Sequence, residues 1–313
     1  MNNAEFEIDS NERNQIEALV AENASAFADK TPDPFSYGCI ELGMRLPSRV
    51  RRRLHQMRVS GQTHLLIKGL PTSHYVPETP RQKRDSCQAP HYYQLMSALF
   101  SAQMGFIYTF SNKRRHAMVE DVFPISSDKG KQIGSNSIQL DWHVEDAFHK
   151  ARADYVSLLC LRSDPAARTL LAAARETMEE LPEETRMQLQ QCDYTFHSDE
   201  TFLSGEAFQR TSYIIEPSKD PEFLFDPSFT VANSKAAKSA LIALAERIGR
   251  CHQSIALQTG ELLIFDNRRV AHSRTEYQPR HDGSDRWLVR SLMVESTWKL
   301  KDSIKGTDPL TVA

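Results

Sequence analysis

The 313-residue sequence predicts an α+β fold, a sheet core with helices packed outside. Several segments place apolar residues at the spacing of an amphipathic helix. Short apolar runs without regular alternation, bounded by Gly or Pro, read as buried strands. No repeat and no linker interrupts the chain, so we expect one domain over residues 1–313 with an N-terminal helical segment.

Residues 11–27 carry Ile16, Leu19, Val20 and Phe27 at helical spacing, with Ser10 as the expected N-cap. The run Arg49-Val50-Arg51-Arg52-Arg53 reads as the solvated face of a helix that buries Val50, Leu54 and Met57. His64–Leu70 reads as a short buried strand ended by Gly69 and Pro71. Tyr92, Leu95, Met96, Leu99 and Phe100 mark a second helix, Gly105–Phe110 is extended, and the polar stretch Val122–Asn136 is loop. Tyr155–Leu161 is a strand, and Pro165 opens a helix that Ala166–Leu181 continues. Ala236–Ile248 is a further helix. Ser254–Leu257, a Thr259-Gly260 turn and Glu261–Phe265 read as a hairpin, and Arg286–Glu295 as the last strand. The turn-rich stretch 217–230 is a candidate lid that orders on substrate binding.

Hydrophobic residues make up 40% and charged residues 25%, a globular composition. The net charge of −3 carries no basic excess, so nothing global points to nucleic acid. No apolar run approaches the ~18 residues of a membrane span. The five cysteines show no CxxC spacing, and the start Met1-Asn2-Asn3-Ala4-Glu5 lacks a basic, apolar leader. A cytoplasmic protein with free thiols is expected, with Cys160 as buried packing.

The chemistry concentrates in two segments. In Trp142-His143-Val144-Glu145-Asp146-Ala147-Phe148-His149, His143 and Glu145 stand two apart and share one face of a strand. One imidazole and one carboxylate there can hold one metal ion, although an exposed strand pair is the commoner reading of that spacing alone. A third ligand would close a facial triad with open positions, the arrangement of non-heme Fe(II) oxygenases. The second segment, Gly260 to Arg274, reads as a strand delivering a loop that carries His272. Arg286 and Arg290 follow four residues apart, on one face of a strand, where guanidinium groups can hold carboxylates.

Taken together, Trp142–His149, the run Asp266-Asn267-Arg268-Arg269 leading to His272, and Tyr277 to Arg290 resemble the clavaminate synthase-like Fe(II)/2-oxoglutarate oxygenases of the taurine dioxygenase group. These include asparagine and arginine hydroxylases of natural-product biosynthesis that act on free amino acids. The apparent match covers about residues 60–295. The resemblance implies a distorted double-stranded β-helix, or jelly roll, flanked by helices. It implies His143, Glu145 and His272 as iron ligands, with Fe(II), 2-oxoglutarate and O2 as cofactor and co-substrates. Arg286 resembles the residue pairing with the far carboxylate of 2-oxoglutarate, and Thr169 matches the hydroxyl sharing that contact. Arg290 resembles the clamp for a substrate α-carboxylate. Glu145, Ser135 and Ser137 are placed near the substrate amine. The Gln used there by arginine hydroxylases has no counterpart in Asn112-Lys113-Arg114-Arg115-His116.

Asp199, with Thr201 beside it, and Asp226 are implied for a cationic side chain; a solvated-loop role fits these two acids equally. Ser228 stands where arginine hydroxylases carry a second acid, which suits a single ammonium better than a guanidinium fork. Asp146 fits a role orienting a ligand from behind. The resulting expectation is a hydroxylase of a free, cationic L-amino acid, lysine first and arginine or ornithine next, attacked at C3 or C4 with release of succinate and CO2. A small-molecule partner, no nucleic acid and no membrane go with it. A desaturase, an oxygenase of another small carboxylate, and a non-catalytic metal-binding jelly roll are the alternatives. A hydrolase is unsupported, because no Gly-x-Ser-x-Gly or His-Glu-x-x-His pattern is present.

Overall fold

Strands covered on both faces cannot alternate apolar with polar residues, and the central strands here are of that kind. A computed structural model of the chain describes residues 4–28, 30–82, 87–113, 117–199, 201–202, 209–304 and 306–313. Its major sheet has eight strands. In spatial order they are Glu5–Glu7, His64–Lys68, Leu262–Asp266, Tyr155–Arg162, Trp287–Val294, Phe106–Phe110 and Thr311–Val312, with Glu120–Val122 pairing beside Trp287–Val294. Leu65, Ile67, Leu159, Leu161, Leu262, Ile264, Val289 and Met293 face one hydrophobic cluster. The alternate residues Leu66, Val156, Leu158, Cys160, Leu263, Phe265, Leu288 and Leu292 face the other.

Helices cover the first face. Ser10–Asn23 supplies Ile16, Leu19 and Val20, Ser48–Ser60 supplies Val50, Leu54 and Met57, and His91–Ser101 supplies Leu95, Met96, Leu99 and Phe100. Each such side chain, fully buried, contributes about 1.5–3 kcal/mol. The first helix is capped by Asp9 rather than Ser10. The Asp9 carboxylate accepts from Glu12 N–H at 2.9 Å, and Glu12 reaches back to Asp9 N–H at 3.1 Å. That reciprocal pair gives Asp9 the cap, and Ser10 becomes the first helical residue. Its α-helix ends at Asn23, and Ala24–Phe27 continue as a 3-10 turn.

The second face looks toward a four-stranded minor sheet, in the order Gln253–Ile255, Thr169–Ala173, Val270–Arg274, Leu140–His143. Two expectations fail here. The helix from Ala166 to Leu181 is instead the strand Thr169–Ala173 followed by a short helix, Ala174–Glu179. The alanine-rich run favours helix locally, but pairing with Val270–Arg274 on one side and Gln253–Ile255 on the other overrides it. The hairpin at 254–265 is also absent: Gln253–Ile255 joins the minor sheet and Leu262–Asp266 the major one. The stretch Val122–Asn136 is loop apart from the strand end at Val122 and a 3-10 turn, Ser126–Asp128. A third sheet pairs Tyr194–His197 with Gln209–Ser212 and Thr230–Ala232. Among the described residues there are seven α-helices, and none is long and apolar enough to cross a membrane.

Candidate active site

Two neighbouring strands of the minor sheet supply the two imidazoles. His143 ends Leu140–His143, and His272 lies within Val270–Arg274, on a strand rather than in the expected loop. The two are direct antiparallel partners, with ring centroids 4.1 Å apart. Glu145 sits just past the end of its strand, where Val144 N–H donates to Phe225 O at 2.8 Å. Ligand atoms of His143, Glu145 and His272 lie within 4.8 Å of one another.

The donor set fits a divalent iron. His143 Nδ1 lies 2.8 Å from the Asp141 carbonyl, which fixes the ring and leaves Nε2 as the donor. Burial, helped by His143, holds His272 well below its ordinary pKa, so its imidazole is neutral as ligation requires. Burial would raise the Glu145 carboxyl, but Arg290 and Lys113 outweigh it and bring it to about 2, so it is ionised. Glu145 Oε2 lies 3.9 Å from His272 Nε2, while Oε1 accepts from Arg290 Nη1 at 2.6 Å.

One cavity gathers most of the residues singled out from the sequence. His143, Glu145, His272, Arg286, Arg290, Thr169, Ser135, Asp199, Thr201 and Asp226 all line it; Ser137 is buried but does not. Arg286 stands one residue before its strand, next to a register shift at Trp287/Leu288. Arg286 is 5% exposed, and among the described residues no carboxylate lies within ion-pair distance of it. Burial lowers its pKa. Thr169 reaches the cavity because it is on a strand, directly opposite Arg274. Ser135 is committed elsewhere, since its hydroxyl donates to Asp128 at 2.6 Å.

Asp226 is pushed well above the ordinary carboxylate range by burial and by Asp199. Thr201 donates to Asp199 through both its N–H, at 2.8 Å, and its hydroxyl, at 2.5 Å. Ser228 donates to Asp141 at 2.6 Å, joining the 217–230 stretch to the strand that carries His143. The root of that stretch is held by Arg152 on Glu222 at 3.0 Å and Arg269 on Asp220 at 3.0 Å. Arg114, Arg115 and His116, part of the segment Asn112–His116 weighed above, lie outside the described residues.

Sequence reasoning missed three cavity residues. Glu120 pairs in register with Arg290, and its carboxylate accepts from Arg290 Nη2 at 2.5 Å. Lys113 is 4% exposed, with Nζ 2.8 Å from Asp146 and 3.9 Å from Glu145. Burial raises Asp146 to about 7 even against Lys113. Arg274 donates to the Gly134 carbonyl at 3.3 Å and also holds Asn136 and Ile138, pinning the loop that carries Ser135. No local pattern marks these residues, because each acts through a partner far away in the sequence.

The sequence profile of the taurine catabolism dioxygenase TauD, TfdA family matches residues 91–292. An L-lysine 3-hydroxylase of Catenulispora acidiphila is 33% identical over 265 residues, covering 80% of this chain and 72% of that one. An L-asparagine oxygenase of Streptomyces coelicolor is 31% identical over 254 residues, covering 79% and 76%. A crystal structure of asparagine oxygenase with Fe(II), 3-hydroxyasparagine and succinate superimposes with TM-score 0.89 at 27% identity, over 99% of both chains. The non-heme iron oxygenase OrfP with iron, succinate and (3S)-hydroxy-L-Arg superimposes with TM-score 0.90 at 25% identity, over 99% of both.

Proposed function

The chain belongs to the taurine catabolism dioxygenase TauD, TfdA family, and from that premise we propose that it hydroxylates a free, cationic L-amino acid at C3, lysine first and arginine or ornithine next. It is an Fe(II)/2-oxoglutarate-dependent dioxygenase, with His143, Glu145 and His272 to hold the metal. The eight-stranded and four-stranded sheets, with the cavity lined from both, support the distorted double-stranded β-helix reading. The stretch 217–230 acts as the lid of the one-domain enzyme.

The observation that carries the substrate class is the cavity's charge. Seven acidic side chains line it against four cations, and burial holds two of the seven, Asp146 and Asp226, above the usual carboxylate range. Arg290 takes the substrate α-carboxylate and, in doing so, leaves its carboxylate partners. Glu120 and Glu145 then face the α-ammonium. A zwitterion thus inserts into an existing ion pair, and each charge it brings replaces one already there. The side-chain ammonium settles between Asp199 and Asp226. Asp226 ionises when it does so, because a protonated carboxyl gives a cation no opposite charge. Arg286 and Thr169 take the far carboxylate of 2-oxoglutarate, and the apolar walls Val156, Leu158 and Leu288 keep water from the reacting centre.

When bound, iron with 2-oxoglutarate and O2 supplies the oxidant for an unactivated C–H bond, and succinate and CO2 leave. The protein's part is to hold one carbon toward that centre by fixing both ends of the substrate. Incubation of Fe(II)-loaded protein with 2-oxoglutarate, air and a pool of free amino acids, followed by mass spectrometry, tests the reading. One amino acid gaining one oxygen atom with stoichiometric succinate supports it. Loss of two hydrogens changes the outcome to desaturation, and succinate without any modified amino acid refutes the substrate class.

A further inference from the structure

Glu145 stands outside the strand that delivers His143, so no ladder holds its backbone. The next residue, Asp146, takes φ of 54°, a left-handed conformation costly for a residue with a Cβ. Something must fix this turn if the carboxylate is to point reproducibly at the two imidazoles. Asn267 does so from 122 positions away.

Asn267 is fully buried, and its side chain is fully used. Oδ1 accepts from Glu145 N–H at 2.7 Å. Nδ2 donates to the Glu145 carbonyl at 3.1 Å and to the Ala153 carbonyl at 3.1 Å. One amide thus closes both main-chain groups of Glu145 and ties them to the start of the Tyr155 strand. The clamp is itself rigid. Asn267 N–H donates to Asp154 O at 2.8 Å, and Asp266 caps Arg268 N–H at 2.8 Å and Arg269 N–H at 3.0 Å. Arg268 Nε donates to the Asp154 carboxylate at 2.8 Å. The site needs one acceptor and two donors at a short reach, an inventory that the Asn side chain supplies.

We propose that Asn267 is the positioning residue for the iron carboxylate: by holding both backbone groups of Glu145, it aims that side chain at the centre shared with His143 and His272. The turn Asp266–Arg269 leads directly into the His272 strand, so one connection fixes two of the three ligands, His272 by covalent continuity and Glu145 by hydrogen bonding. This inference rests on the reading of His143, Glu145 and His272 as the iron site.

The test is calorimetric titration of the metal-free full-length protein with Co(II) alone. Wild type binds, and Glu145→Ala loses tight binding. Asn267→Ala weakens Co(II) by about 10–100-fold, the usual cost of removing a ligand's support. Asn267→Asp keeps the acceptor for Glu145 N–H and loses the two donors, so it falls between, and it carries the test if the alanine variant does not fold. Ile16→Ala, a core truncation in the N-terminal helix, lowers stability but leaves the Co(II) affinity within about twofold, because distant sites act independently. Wild-type affinity in both Asn267 variants overturns the proposal. So does an equal weakening in Ile16→Ala, which would make the effect one of general stability. Failure of wild type to bind Co(II) overturns the iron-site reading itself, before Asn267 is at issue.

Discussion

Replacing Arg290 by Leu is expected to destabilise the metal-free protein by about 3–5 kcal/mol at pH 7, the range for removing one partner of a buried ion pair. Arg290 serves two carboxylates at once, Glu145 at 2.6 Å and Glu120 at 2.5 Å, with its side chain 18% exposed and theirs 9% and 17%. Burial alone would raise the Glu145 carboxyl, while Arg290 first and Lys113 second bring it from 4.5 to about 2. A fall of that size corresponds to about 3 kcal/mol of folded-state preference for the ionised form, in line with the mutational range. The sign follows from the direction. The folded value lies below the unfolded one, so this contribution is fully present above pH 4.5 and is lost as pH falls toward about 2. Without Arg290, burial opposes only the remaining pull of Lys113, so the carboxyl lies higher in the variant than in the wild type and the contribution is lost at a higher pH. Thermal unfolding of chelator-treated protein between about pH 3 and pH 8 measures both effects. The deficit of Arg290→Leu should be largest at the alkaline end and shrink toward the acid end. Co(II) at a hundred times its Kd should return about 2.7 kcal/mol by mass action, since the metal supplies Glu145 with a new cation. A loss below about 1 kcal/mol at pH 7, or one independent of pH, would mean that the pair behaves like a surface salt bridge and would refute the argument.

Arg286→Ala should raise the KM for 2-oxoglutarate roughly 10–100-fold through loss of charge-assisted hydrogen bonds, with the amino-acid KM within about twofold; succinate production under varied co-substrate reads both. The KM for lysine should fall as pH rises through the elevated Asp226 value, because only the carboxylate attracts the ammonium. Asp226→Asn should flatten that profile and raise the KM roughly 10–100-fold at its alkaline end; a profile unchanged by the substitution refutes the placement of the ammonium. Asp9→Ala should cost about 1 kcal/mol in denaturant unfolding through loss of the helix cap, with kcat unchanged.

What the sequence made legible was chemistry carried by neighbours in the chain. His143 and Glu145 announce themselves two residues apart, and Arg286 and Arg290 four apart, and all four line one cavity. Local periodicity also found the Arg49–Arg53 helix and its buried Val50, Leu54 and Met57, because that helix owes its pattern to one covered face. The strand that carries Thr169 was hidden because Ala166–Ala174 has helical propensity, and only the two flanking strands make it extended. Glu120 belongs to a three-residue strand whose meaning comes from its register with Arg290, 170 positions away. Lys113 and Asn267 are of the same kind. Their roles are set by pairings that no window of sequence contains.

The direct pairing of His143 with His272 has a consequence for the fold as well as for the chemistry. Among the described residues Leu140–His143 is an edge strand of the minor sheet, attached along one side only. An ion shared by the two imidazoles would act as a rivet across that last seam, closing a covalent-like loop from residue 143 to residue 272. Loop closure of this kind removes freedom from the opened chain more than it adds contacts to the closed one. Loading the metal should therefore slow amide hydrogen exchange along Leu140–His143 more than along Tyr155–Arg162, which is already hemmed in on both sides. On this view one edge seam of the enzyme is sewn shut by its cofactor.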